Sequence, residues 1–223
     1  MNYMENYNKW IESEIIDEDS RNELLAIKNN DSEIEVRFYK NLEFGTGGLR
    51  GIIGIGTNRI NFYTVRKAAQ GLANFIKLSS SNEFKSVAIA YDSRHYSDVF
   101  AEEAALVLAA NDIKAYVFES LRPTPELSFA VRHLNCDAGI VITASHNPPE
   151  YNGYKVYGSD GGQITLDMAN AIISEIDKLE IFVDVKKNQG IKRNFPVSTI
   201  KDLRSKRINT TKHRKQLGSE PDI

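Results

Sequence analysis

The chain has 223 residues, 41% hydrophobic and 26% charged, with a formal net charge of −2. This composition excludes wholesale disorder, and no run approaches the roughly 20 apolar residues that span a bilayer. A single cysteine, Cys136, excludes an intrachain disulfide framework, and the acidic segment from Met1 to Ser20 does not read as a secretion signal, so the expected localisation is cytoplasmic.

Residues 1–42 read as an acidic helical extension with Trp10, Ile11, Ile15, Leu24, Leu25, Ile34 and Phe38 as its apolar stripe, and Asp31 to Glu33 cap its last helix. From Gly45 the texture changes to alternating strand and helix signals. Leu49–Ile60 is an extended segment broken by turns, and Thr64–Leu78 is an amphipathic helix. Val87–Tyr91, Ile113–Phe118 and Ala138–Thr143 are short buried strands, separated by helices over Asp98–Ala110 and Pro125–Leu134. Tyr154–Tyr157 and Gln163–Thr165 read as a hairpin across Asp160-Gly161-Gly162, and Asp167–Leu179 as a last helix. The fold class is α/β: a mixed, mostly parallel sheet sandwiched by helices, in one domain over residues 43–183. Ligands of such sheets sit beyond the carboxyl ends of the strands.

Residues 184–223 form a basic tail. Lys186 to Ile223 holds 11 Lys and Arg against 3 Asp and Glu, a net +8 that leaves −10 on the rest. Phe195 is its only aromatic residue, so the stacking that single-strand binding favours is missing and nucleic acid is not an expected partner. The aliphatic spacing fails after Thr199, so the tail reads as incomplete or divergent.

The first candidate site follows the third strand: Thr143-Ala144-Ser145-His146-Asn147-Pro148-Pro149, continuing to Gly153 and Lys155. The prolines fix φ, which places Ser145 on a rigid exposed loop, and the nearby histidine and lysine supply cationic donors for a phosphate. Acyl transfer is disfavoured, because neither flank of a Gly-x-Ser-x-Gly elbow is present and successive side chains diverge, leaving His146 poorly placed as a base for Ser145. The second candidate is Gly45-Thr46-Gly47-Gly48-Leu49-Arg50-Gly51, whose backbone N–H groups can line an anion beside the Arg50 guanidinium. It matches neither the Walker loop nor the dinucleotide fingerprint. Asp92 and Arg94, just after the strand Val87–Tyr91, read as a local ion pair that shapes its loop.

Together, Phe44–Gly51 and Thr143–Lys155 resemble the α-D-phosphohexomutase superfamily, of the phosphoglucomutase/phosphomannomutase type, in its N-terminal phosphoserine domain. Asn58-Arg59-Ile60-Asn61, Gln70-Gly71-Leu72 and Tyr91-Asp92-Ser93-Arg94 fall in the order that the resemblance implies. It implies an isomerase of carbohydrate metabolism that interconverts glucose 1-phosphate and glucose 6-phosphate through phosphoserine and glucose 1,6-bisphosphate. By the same resemblance Ser145 carries the phosphoryl group and offers an oxygen to Mg²⁺. Arg50 and His146 steady the transferring group, and Lys155 is the general acid/base or electrostatic partner. Thr46, Gly47, Gly48, Arg50 and Asn147 bind phosphate or substrate. The family's Asp-Gly-Asp-x-Asp-Arg metal loop has no counterpart here, and Gly218-Ser219-Glu220-Pro221 only echoes a later sugar-phosphate loop. The expectation is therefore a truncated chain, monomeric, with a sugar phosphate as partner and no membrane, weakly active or inactive alone. The alternatives are a non-catalytic anion-binding module, or phosphomannomutase or phosphopentomutase specificity.

Overall fold

The computed structural model describes residues 2–186 and 197–200. The extension folds as helices α1 (Tyr3–Glu12), α2 (Glu18–Ala26) and α3 (Asp31–Phe38). Then come β1 (Phe44–Gly45), β2 (Gly48–Ile52), α4 (Phe62–Ser79), β3 (Ser86–Tyr91), α5 (Ser97–Ala110) and β4 (Lys114–Phe118). The order continues with α6 (Thr124–His133), β5 (Ala138–Ile142), β6 (Tyr151–Gly158), α7 (Leu166–Asp177) and β7 (Val197–Ile200). The strands form one sheet in the order β1-β2-β6-β5-β3-β4-β7. Five of the seven, β2, β5, β3, β4 and β7, point the same way, while β1 and β6 run against them.

The alternation of the central strands explains the two-sided core. Val87 and Ile89 on β3, Ile140 and Ile142 on β5, and Tyr154 and Val156 on β6 pack with α4, α5 and α7. Ala88, Ala90 and Val141 face the other way, onto Leu127, Ala130 and Val131 of α6. Lys155 and Arg50 belong to this second face of the sheet, because their neighbours Tyr154, Val156 and Leu49 belong to the first.

The extension closes a third core. Trp10, 1% exposed, meets Phe38, Tyr63 and Phe182 edge to face at 5.8, 5.5 and 5.2 Å between ring centroids. Asp17 caps α2 through Ser20 N–H at 2.8 Å and accepts the Tyr63 hydroxyl at 2.7 Å, tying the extension to α4. Three expectations for this region shift. Ile15 is exposed at 58% and Ile16 is buried instead, because the turn between α1 and α2 moves the stripe by one residue, while Leu25 is exposed at 43% because it faces away from the buried Leu24 beside it on α2. Asn30, not Asp31, caps α3, accepting Glu33 N–H on its side chain.

Two differences concern the sheet. Strand β6 begins at Tyr151, not Tyr154, because Asn152 and Gly153 continue the ladder against Gly51 and Arg50. Gly153 permits this: a Cβ there would lie 2.5 Å from the Thr143 carbonyl oxygen and 2.9 Å from that of Leu49. The second arm of the expected hairpin reduces to one bridge, Gln163 to Tyr157. Inside the stretch read as a tail, β7 pairs in parallel with β4, a four-residue strand too short to give a periodic signal. The basic residues beyond it, and the Gly218–Pro221 echo, lie outside the described residues.

Candidate active site

Strands β3 and β5 are parallel neighbours, so the loops after them emerge side by side at the carboxyl edge of the sheet. The ladder continues into the first loop, where Asp92 N–H donates to the Ile142 carbonyl at 3.1 Å. The second loop carries Ser145 in the left-handed region, at φ 61, which costs a serine on the order of 1–2 kcal/mol. Its N–H donates to Thr143 Oγ1 at 3.0 Å, and its side chain is exposed.

Arg94 holds that geometry. One guanidinium nitrogen donates to the Pro148 and Tyr151 carbonyls at 2.9 and 3.0 Å, and the other to those of Ser145 and Asn147 at 2.9 and 2.6 Å. Its contact with Asp92 is the looser one, Nε to Oδ2 at 3.6 Å, so the expected local ion pair is only the anchor of a longer-range clamp. Behind it, Asp92 Oδ1 accepts Ser97 Oγ–H at 2.8 Å, and the fully buried Asn152 donates to Ser97 Oγ and the His95 carbonyl, both at 2.9 Å. This network is the functional element that the sequence reading missed. The serine loop alone holds no sign of it, because the clamp reaches 51 to 57 residues along the chain.

The expected site residues fall into two groups. Ser145, His146 and Asn147 lie on the loop, with Ser145 Oγ 3.3 Å from His146 Nδ1. That contact corrects the expectation that the two side chains diverge: the left-handed backbone at Ser145 interrupts the alternation. No other hydrogen bond fixes the His146 ring among the described residues, so the orienting acid of a hydrolase triad is missing there. Thr46, Gly47, Gly48, Arg50 and Lys155 line a cleft of about 520 Å³ on the second face of the sheet. Register places them: Arg50 is opposite Gly153 and Lys155 opposite Gly48, so the two cations are diagonal neighbours. Gly48, at φ 143, sits so close to β6 that a Cβ would meet the Tyr154 carbonyl oxygen at 1.8 Å. Arg50 bridges the groups, donating to Asn147 Oδ1 at 3.1 Å. Burial holds the Lys155 ammonium below its ordinary lysine range, the Arg50 charge adds to the depression, and Asp92 opposes it.

A hard divalent cation takes six or more oxygens. No three His, Cys, Asp or Glu side chains converge among the described residues, so Ser145 alone does not fit the expected Mg²⁺. The arrangement instead defines an α/β domain that presents one strained serine at the carboxyl edge of its sheet, on a loop that an arginine of the neighbouring cleft reaches through Asn147.

The comparisons with known proteins narrow that class. The chain belongs to the phosphoglucomutase/phosphomannomutase family: the model of that family's alpha/beta/alpha domain I matches residues 41–181. A phosphoglucomutase of Staphylococcus epidermidis is 45% identical over 172 residues, covering 77% of this chain and 31% of the relative. One of Staphylococcus aureus is 46% identical over 178 residues, covering 77% and 32%. A crystal structure from Thermus thermophilus, assigned as a phosphomannomutase, superposes with a TM-score of 0.60 at 30% identity, over 73% of this chain and 33% of that one. A Paramecium phosphoglucomutase in its open form, at 18% identity and TM-score 0.58 over 81% and 36%, shares the fold. The chain thus spans about a third of the length of the curated relatives it matches.

Proposed function

We propose that this chain is the phosphoserine domain of a phosphoglucomutase-type enzyme, with Ser145 as the carrier. In the first transfer the Ser145 phosphoryl group passes to the 6-hydroxyl of glucose 1-phosphate: the Oγ–P bond breaks, an O6–P bond forms, and the hydroxyl proton leaves O6. The glucose 1,6-bisphosphate so formed turns over and returns its C1 phosphoryl group to Ser145, leaving glucose 6-phosphate. Such transfers need charge neutralisation and alignment more than covalent assistance. The arrangement that supports this reading is a strained serine two residues from Asn147, which accepts from Arg50, with a lysine diagonal to Arg50 whose proton is loosened by burial. Lys155 is suited to give or take the hydroxyl proton, Arg50 to spread the charge of the moving phosphoryl group, and His146 to hold the Ser145 oxygen. The Gly47–Gly48 backbone is suited to the non-transferring phosphate.

By the same proposal Ser145, once phosphorylated, would offer one oxygen to Mg²⁺, which would offset the phosphoryl charge, and its other ligands would lie outside the described residues. Glucose is favoured over mannose by the 45–46% identity to phosphoglucomutases against 30% to the structure assigned as a phosphomannomutase. We place the chain in the cytoplasm, acting as a monomer on a sugar phosphate, with neither nucleic acid nor membrane as partner; among the described residues no helix is long and apolar enough to cross a bilayer. The second reading is an anion-binding module without turnover, which the glycine-rich cleft with its Arg50 and Lys155 cations also suits.

Incubation of the folded chain with glucose 1,6-bisphosphate and Mg²⁺, followed by intact-mass analysis and a coupled glucose 6-phosphate assay, separates the two. The expected result is one added phosphoryl group that Ser145→Ala abolishes, with turnover weak or absent. A chain that binds inorganic phosphate but never gains the group is the anion-binding module. A gain that survives in Ser145→Ala overturns the assignment of the carrier.

A further inference from the structure

A second cavity, of about 450 Å³, lies behind the glycine-rich segment, walled by α1, α4 and α7. It shares Leu42, Glu43 and Leu49 with the cleft that holds Arg50 and Lys155, so the two hollows are separated by one thickness of chain. Trp10, Phe44, Ile173 and Ile176 make much of its lining apolar. Its size falls within the range of small-molecule sites, roughly 300–1,000 Å³.

Lys9, Lys67, Glu43, Asp177 and Glu180 supply the charges of its lining. Lys9 pairs with Glu180 at 2.7 Å, and Glu43 with Lys40 at 2.8 Å. Lys67, half-buried on α4, makes no hydrogen bond or ion pair among the described residues. Asp177 and Glu180 attract it without touching it, Lys9 repels it, and burial is the largest influence on it, lowering its proton affinity. A half-buried ammonium without a direct partner is a costly arrangement that an incoming anion relieves.

We infer that this cavity binds a small amphipathic monocarboxylate, its apolar chain lying against Ile173, Ile176 and Ile181 and its carboxylate on Lys67. The site is separate from the serine loop and stands whether or not the mutase reading does. Because Glu43 and Leu49 wall both hollows, occupancy is felt at Arg50 on the far side.

The test is a titration of the whole chain with octanoate, followed by ¹H–¹⁵N amide shifts. Saturable shifts are expected around Lys67 and Ile173, extending through Glu43 and Leu49 to Arg50. Lys67→Met, which keeps the aliphatic stem, weakens binding by about tenfold or more, as expected for one hydrogen bond to a charged group. Asp177→Asn, which removes a carboxylate that repels the ligand, tightens it. Ile173→Trp, which fills the recess, abolishes it. Octan-1-ol on the unmodified chain needs no variant and binds about tenfold more weakly than octanoate. No saturable shift in a folded chain, shifts mapped elsewhere, or equal affinity for octanoate and octanol overturns the proposal.

Discussion

The backbone at Ser145 is held in a region that serine avoids, and Arg94 supplies the restraint. Its side chain is 14% exposed and donates to four carbonyl oxygens of the turn, those of Ser145, Asn147, Pro148 and Tyr151. Arg94→Met removes that restraint and takes four charge-assisted hydrogen bonds from the loop. We expect a loss of stability on the order of 3 kcal/mol in urea unfolding. Amide exchange should rise at Ser145 to Asn147 and stay unchanged on α7. Loss of stability without faster loop exchange contradicts the clamp. The cations carry a second expectation. Removing the Arg50 charge in Arg50→Met raises the Lys155 pKa toward its ordinary value, while the contribution of burial stays. Titration of a ¹³C-labelled Lys155 by NMR measures this, and an unmoved or lower pKa contradicts the diagonal placement. Ser145, Arg50 and Lys155 were legible because their neighbours are glycines and prolines, residue types with a fixed backbone meaning. Arg94 was legible only as a partner of Asp92. Its real partners are carbonyl oxygens, which carry no residue-type signature.

At the scale of elements, the extension is the informative case. Its three helices are too short to be stable alone, since isolated helices below about 12–15 residues are marginal in water. They persist by sharing Trp10 with Tyr63 and Phe182. Trp10→Ala is expected to cost about 3–5 kcal/mol in urea unfolding, in a single transition followed equally by far-ultraviolet circular dichroism and by tyrosine fluorescence. A separate early transition for the helical signal would show that the extension folds independently. The helices themselves were readable from charge and spacing, and so were α4 to α7 and the buried strands β3, β4 and β5. The one-residue error at Ile15 arose where a tight turn resets the helical phase. Strand β7 was lost because pairing with β4, not its own pattern, makes it a strand.

For the molecule as a whole, the class of fold could be read from the alternation of strand and helix, but the order of the strands could not. Placing β6 between β2 and β5 depends on close backbone approach at Gly48 and Gly153, an attribute of paired segments and not of either alone. That order brings the glycine-rich segment beside the serine loop, so the site too became legible only in part. The aromatic cluster has one more consequence, which appears when the chain is considered as it is made. Trp10 leaves the ribosome well before Phe182, against which its ring packs and which follows only after the segment from β1 to α7. Throughout that interval the newborn extension has its largest apolar side chain uncovered on one side, so its docking is timed by the end of the domain's synthesis and not by its beginning.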